Sequence, residues 1–586
     1  MQQLNISGSN VNLLRAFPLK AMFTLTKHNR LDAEVLERAP DLSSDINLET
    51  RMRLGLADEL FVMENTALIT RTHAGANSEP QQLSLKADEI ISRMGEQQLY
   101  IKEGVLSAGL RNADNWQGSL ALALAFGLES DWQAQTAQLK ELQLTGPDGL
   151  RVSGHLNVEQ LRDAPRYRGQ LTAAPFTLRP WLARAGVTLT TSSEAALSDV
   201  AMTSPIEGDA EQLSLPSLSL VVDDSTFTGE LSAALDGSRL RFDLEGDQLT
   251  LDHYLPGTAT AKQASHGLLR KAFAQNSESL LPQAVLGGLA LEGDLRVDNL
   301  VFAGLVFNNP RLQLRGDDGV HRLTAFESGF YEGQLSATGQ VDATDAVLEW
   351  MLSPTISNVQ VAPLIEAISD ETSPLRGRFD LSGDLTSLGN TRESLTSNLN
   401  GQLTARLNDG AILETNISQQ MCELVAQLEG EGTLRDWHSD TRFERFDATF
   451  QINNGLLKSD DLLITLPGID VQGEGELNLT SMNFDTHANA RLVNTADAAC
   501  AVNPRLAQLP LPVRCEGNLS DERSEWCHFD RAAFQTAVAD LLRSEAGDRV
   551  SEELEERLGD SLDKLDERLG EGAGQQLREG LRSLFN

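Results

Sequence analysis

Apolar and polar residues alternate with a period of two along most of the chain. One phrase keeps returning: apolar, x, Gly, polar, apolar, x, apolar. It reads Val152-Gly154-Leu156-Val158, Leu291-Gly293-Leu295-Val297 and Leu335-Ala337-Gly339-Val341. A shorter form is Leu381-Gly383-Leu385, and a longer one is Val471-Gly473-Gly475-Leu477-Leu479. A period of two sets these side chains on one face of a strand and the Ser, Glu, Asp, Gln and Thr between them on the other. Glycine in the apolar file weakens a strand unless a bulge, a bend or a close neighbour needs the room. Its recurrence at one place in many strands predicts a sheet that bends along a line.

A larger repeat encloses the phrase: a strand, a polar turn, a second strand, then a short apolar motif ending in leucine. Copies run through 166–187, 239–257 and 346–368, with the shared frame Phe176-Leu178-Leu182, Leu249-Leu251-Leu255 and Val359-Val361-Leu364. The turns are rich in Asp, Gly, Asn and Pro, as in Gly146-Pro147-Asp148-Gly149 and Gly316-Asp317-Asp318-Gly319. Repeats of this kind stack, each unit burying its apolar edge on the next. The predicted fold is mainly β: a long, curved, antiparallel repeat sheet. Two stretches depart from it. Leu268, Leu269, Ala272 and Phe273 fit a short helical face that Pro282 ends. Beyond Phe529, Leu554, Leu558, Leu562, Leu565 and Leu569 make one helical stripe opposite a charged face. Four segments follow: an N-terminal β-repeat region 1–260, a helical divider 261–283, a C-terminal β region 284–528 and an amphipathic helical tail 529–586.

Length and charge narrow the function. At about 150 residues per domain, 586 residues suggest roughly four domains, unless a repetitive sheet absorbs them as one body. Asp+Glu outnumber Lys+Arg by 85 to 48, a net charge of −37. That balance disfavours nucleic acid, whose affinity comes from cationic side chains, and a basic patch for anionic membranes. No run of apolar residues is long enough for a transmembrane helix. Met1–Asn10 lacks the basic start and apolar core of a signal peptide and reads like the middle of a strand-rich domain, so a start upstream of it is expected.

The four cysteines, Cys422, Cys500, Cys515 and Cys527, all lie in the last third. They form no CxxC and have no histidine cluster beside them, which argues against zinc. Cys515 and Cys527 flank a turn at 517–524 and are the first disulfide candidates, leaving Cys422 with Cys500. Four free thiols in a reducing compartment are the alternative; an oxidising compartment such as the periplasm fits better. No catalytic or metal set emerges. The sequence has no HExxH, no His-x-His, no P-loop and no Gly-x-Ser-x-Gly elbow. Asp223-Asp224, Asp317-Asp318 and Asp460-Asp461 fall at turn-like positions, where Asp suits the backbone. Trp181, Tyr254 and Trp350 recur near the repeat frame and read as packing at strand ends, with lipid contact as the functional alternative. No enzyme activity and no cofactor are expected.

Residues 289–368 resemble the AsmA family. The marks are the Tyr331-Glu332-Gly333 turn, the Gly-x-Leu-x-x-x-Gly strand and the segment Asn358-Val359-Gln360-Val361 leading to Leu364. The resemblance continues through PLRGRFDLSGDLTSLG, SNLNGQLTARLNDGAI, NPRLAQLPLPVRCEGNL and Trp526-Cys527 to the closing LRSLFN. It covers about residues 150–586, and the first 150 loosely. It implies a Gram-negative envelope protein, periplasmic in bulk and held in the inner membrane by one N-terminal helix, which this chain does not contain. It also implies a role in outer-membrane assembly, and a grooved sheet related to bridge-like lipid transfer proteins that moves phospholipid passively between the membranes. The alternation agrees, since lipid tails need a dry, continuous apolar surface. The groove candidates are Val152, Leu156, Leu291, Leu295, Leu335, Val341, Leu381, Leu385, Leu477 and Leu479. The expected partners are phospholipid, the inner membrane, and the outer membrane or its proteins. A structural or chaperone-like factor, binding envelope proteins through its sheet edge or tail helix, is the alternative.

Overall fold

A computed structural model describes residues 3–9, 11, 15–27, 42–74, 80–111, 119–184, 191–255, 279–369, 372–414, 438–467, 469–492, 510–519, 527–530, 532–533 and 536–537. The chain is mainly β, and its contacts divide it into two compact units. One comprises Met1–Gly257 with Leu289–Asp298; the other comprises Thr258–Gly288 with Asn299–Asn586.

The first unit is a meander. From Gln3–Gly8 to Arg239–Thr250, fourteen strands follow one another, and each pairs antiparallel with the next in sequence. The second unit repeats the scheme from Leu305–Asp317 to Cys527–Phe529. Tight turns explain the order. A hairpin connection of a few residues can only return the chain antiparallel beside itself. The Tyr331-Glu332 turn has both residues at positive φ, 41° and 63°, the twist a two-residue hairpin needs.

The expected bend is present, and its device is a bulge. Asn65, Glu103, Glu141, Asn309, Asn358 and Asp409 each hold a positive φ inside a strand. The pairing register shifts by one residue beside them. An extra residue on one strand kinks it and adds twist, so a row of bulges folds the sheet along a line. The glycines serve a different end, close approach. A Cβ on Gly154 or Gly169 would collide with the carbonyl oxygen of Gln170 or His155 on the neighbouring strand; Gly383 stands likewise against Gln402, and Gly401 against Asp384.

The apolar motifs closing the larger repeat are short helices. Strand Arg166–Phe176 leads into helix Arg179–Arg184, and strand Arg239–Thr250 into the 3₁₀ turn Leu251–His253. Strand Glu349–Gln360 leads into helix Val361–Ser369. Pro282 is the N-cap of helix Gln283–Leu286, its ring tolerated where no N–H is needed, and the helical face expected before it lies outside the described residues. Two expectations change. Asp460 and Asp461 lie inside strand Leu456–Leu466 at a bulge, where Asp461 accepts the Thr449 N–H at 2.7 Å. Strand Ile469–Asn478 ends before Leu479, which sits in the turn with its N–H on the Gly455 carbonyl at 2.9 Å. Most of the helical divider, Cys422, Cys500 and nearly all of the tail lie outside the described residues. Among the described residues, no helix is long and apolar enough to cross a membrane.

Candidate functional site

Cross-strand neighbours share a face, so the register converts the sequence pattern into lines of side chains running across the strands. In the first unit one line passes through every strand of the meander without a polar member. It starts Ile6, Ala21, Leu48, Leu68, Leu85, Leu106, Leu124 and Leu144, and ends Val152, Ala173, Met202, Leu220, Phe227 and Gly246. A second line runs beside it: Phe17, Met52, Met63, Ile90 and Ile101, then Leu128, Leu139, Leu156, Gly169 and Ile206. Val152 and Leu156 share the bulge-free strand Arg151–Glu159, so both lines lie on one face. Most members are half-buried rather than buried. An apolar face closed by a second layer would bury them.

The second unit has the same construction. Leu314, Leu323, Gly339, Leu352, Leu385 and Gly401 continue into Ile452, Leu457, Leu477, Phe484 and Gly517. A parallel line, Val359, Phe379, Leu407, Phe446, Ile464, Val471, Ala490 and Leu511, has a different fate. Helix Val361–Ser369 folds onto it, with Val361 inside a buried cluster of Leu407, Phe443, Leu466, Ile469, Ala490 and Leu511, and Ile365 packed alongside. One apolar line is therefore roofed as a core, while the line through Leu352 and Leu477 keeps a half-exposed surface.

The sequence candidates fall on this face with one exception. Leu335 and Leu381 flank Ile356 on one line, and Leu385 and Leu477 share the long one. Leu291 and Leu295 lie half-buried on strand Ala290–Phe302, where the Phe242 ring lies against Gly293. Val341 is flanked by His321 and Trp350 near a strand end. There the His321 Nε2–H donates to the Leu286 carbonyl at 2.9 Å and the Trp350 indole N–H to the Gly389 carbonyl at 2.8 Å. Leu479 is the exception, in its turn. The first 150 residues supply much of both lines of the first unit, and no candidate was drawn from them. The signal was there in the alternation Leu120-Leu122-Leu124 and Leu83-Leu85-Ala87.

The opposite face is ionic. Lys20 meets Glu49 at 3.1 Å, Lys458 meets Glu476 at 2.8 Å, and Arg406 meets Asp447 at 2.7 Å, each pair directly cross-strand. Arg514 forks onto both carboxylate oxygens of Asp485, at 3.2 and 2.9 Å, and its hydrogen bond holds that carboxyl below the usual range. Such exposed pairs add little stability each, but they keep this face in water. Near the end of the sheet, Cys515 sits opposite Cys527 in the register. Among the described residues, no cluster of His, Cys, Asp and Glu could hold a metal.

Comparison with known proteins matches this architecture to one family. The AsmA family model fits residues 177–462. A curated relative, Protein AsmA of Escherichia coli strain K12, is 24% identical over 358 residues, 59% of this chain and 56% of the relative. The match thus spans about half the length of that relative. The matched residues 177–462 run from the rim helix of the first unit into the strands of the second, and over them the chain is similar to the AsmA family.

Proposed function

We propose that this chain is an AsmA-type envelope protein that supports outer-membrane biogenesis. In this reading it moves phospholipids passively across the periplasm, with their tails on the apolar face and their head groups in water. The observation that carries the reading is the unbroken, half-exposed apolar line across all fourteen strands of the first unit's meander. At about 4.8 Å per strand it runs roughly 60 Å. That is about twice the hydrocarbon thickness of a bilayer, roughly 30 Å. Each buried CH₂ is worth about 0.8 kcal/mol, so an acyl chain has ample drive to occupy such a line. The absence of polar members keeps the drive even from strand to strand, which suits passage better than storage at one site.

The role is non-catalytic, with no cofactor, and the protein works tethered to the inner membrane. The disulfide partner of Cys515 is Cys527, and the bond fits an oxidising compartment. The test is lipid transfer between donor and acceptor vesicles by the full chain. Leu106→Asp and Leu477→Asp, which interrupt the line in either unit, are expected to abolish transfer while circular dichroism stays native. Normal transfer by both folded variants would sink the proposal.

A further inference from the structure

The two rims of the first unit are built differently. One is strapped. Helix Arg179–Arg184 turns back over the apolar face, and the Trp181 ring tip converges with Leu122 and Leu150 over Gly146. Arg184 pairs with Asp148 and stacks on Trp181 at 5.4 Å. Arg179 holds Thr191 and the Ser193 carbonyl. The segment 191–199 is tied on by Leu178 N–H to the Leu197 carbonyl, 2.9 Å, and by Ser192 N–H to the Leu255 carbonyl, 2.7 Å. Asp223, at the tip of a hairpin, accepts the N–H groups of Leu197, Ser198 and Asp199 and the Tyr254 hydroxyl at 2.8–3.1 Å. Connections from 146 to 254 are thus laced into one strip along this rim.

The other rim is a row of tight turns laced by a ladder of backbone hydrogen bonds and a few polar side chains. Met94 N–H donates to the Glu59 carbonyl at 3.0 Å, Trp132 to Gln97 at 3.0 Å, and Leu235 to Glu211 at 2.8 Å. The donors in this ladder, with Leu56 before them, carry large apolar side chains into the open: Leu56 is 62% exposed, Met94 57%, Trp132 42% and Leu235 57%. Polar groups lie between them. Arg162 donates from its guanidinium to Gln97 at 3.1 Å and from its backbone to the Gln135 side chain at 2.9 Å. A margin of apolar tips and amides, one tip an indole, matches the boundary between acyl chains and polar head groups, where amphipathic rings settle.

We infer that the turn rim bearing Leu56, Met94, Trp132 and Leu235 is the open seam of the first unit, along which lipid head groups ride. The strapped rim, at 177–184 and 191–199, is closed to them. This rests on the lipid-conduit reading above and gives it a direction of opening. The apolar tips lose water when the upper acyl chain and glycerol cover them, whereas on the strap Ala196 is already buried and Trp181, Leu182 and Leu197 are half-buried.

The test is site-specific photo-crosslinking of the full chain, loaded with a head-group-radiolabelled phospholipid. Benzoylphenylalanine replaces Met94 or Leu235 on the turn rim, Ala183 or Glu194 on the strap, and Leu106 or Leu352 on the floor. The rim and strap positions and Leu352 are exposed, so these variants fold even if Leu106→benzoylphenylalanine does not. The expected result is lipid labelling at the floor, and labelling at Met94 and Leu235 several-fold above Ala183 and Glu194. Floor labelling with the strap equal to or above the turn rim would overturn the seam while leaving the conduit. No labelling at either floor position would overturn the conduit itself, and the seam with it.

Discussion

Replacing Leu352 and Leu407 by aspartate separates an open apolar face from a closed core. Both residues lie on the apolar face of the second unit, but Leu352 is 41% exposed and Leu407 only 5%. Full burial of a leucine is worth about 1.5–3 kcal/mol, so Leu352 contributes about 1–2 kcal/mol. Leu352→Asp loses that amount, and its new carboxylate stays within reach of water. Leu407 sits among Val361, Phe443 and Leu466 under the roofing helix. There truncation alone costs about 2–5 kcal/mol. An unpaired charge in that cluster adds several kcal/mol more. The sum approaches the whole stability of a domain, about 5–15 kcal/mol. Urea unfolding of the lipid-free chain, followed by circular dichroism, reads the difference. Leu352→Asp should shift the midpoint modestly and strip lipid from the purified protein, while Leu407→Asp should lose the native signal. If Leu352→Asp unfolds the chain as fully as Leu407→Asp, the line through Leu352 is a closed core and the reasoning fails.

Three further outcomes follow from the same geometry. Gly154→Val and Gly383→Val drive a side chain into the neighbouring strand's carbonyl, a strain of at least about 1–3 kcal/mol that a lowered unfolding midpoint would register. Partial burial raises the Asp223 carboxyl, but the Leu197 N–H, the Tyr254 hydroxyl and the Asp199 and Ser198 N–H groups outweigh it and hold it below its ordinary 3.8. That stabilisation is present above 3.8 and is lost as pH falls through the lower folded value. Hydrogen-exchange protection of 191–199 should therefore fall on acidification below 3.8. Asp223→Asn should lower it at neutral pH and remove the acid step. Peptide mapping without reductant should find Cys515 linked to Cys527; a Cys515–Cys422 or Cys515–Cys500 peptide would refute that pairing.

The strand order was legible because alternation and tight turns are local. Residues such as Val152-Gly154-Leu156 announce which face they occupy, and a short turn leaves an antiparallel neighbour as the only choice. The lines across strands were not legible, because they depend on register, and register depends on bulges. Asn65, Glu103 and Glu141 look like ordinary polar residues in sequence, yet each holds a positive φ beside a one-residue register shift. The repeat frame Phe176-Leu178-Leu182 was visible, but its third element turned out to be a rim helix, since nothing local says that Trp181 reaches back to Gly146. Alternation alone carries Leu479 onto the face, one step past a turn fixed by Asn478, whose side chain accepts the N–H groups of Thr480 and Ser481. The contrast between Leu352 and Leu407 needs the roofing helix and could not be read from either strand alone.

Native mass spectrometry of the purified full chain, with lipid extraction of the same sample, tests the central claim most directly. The account predicts several phospholipid molecules per folded chain, as a line of roughly 60 Å would hold. A folded chain that flies at its bare polypeptide mass, with no extractable lipid, would contradict it.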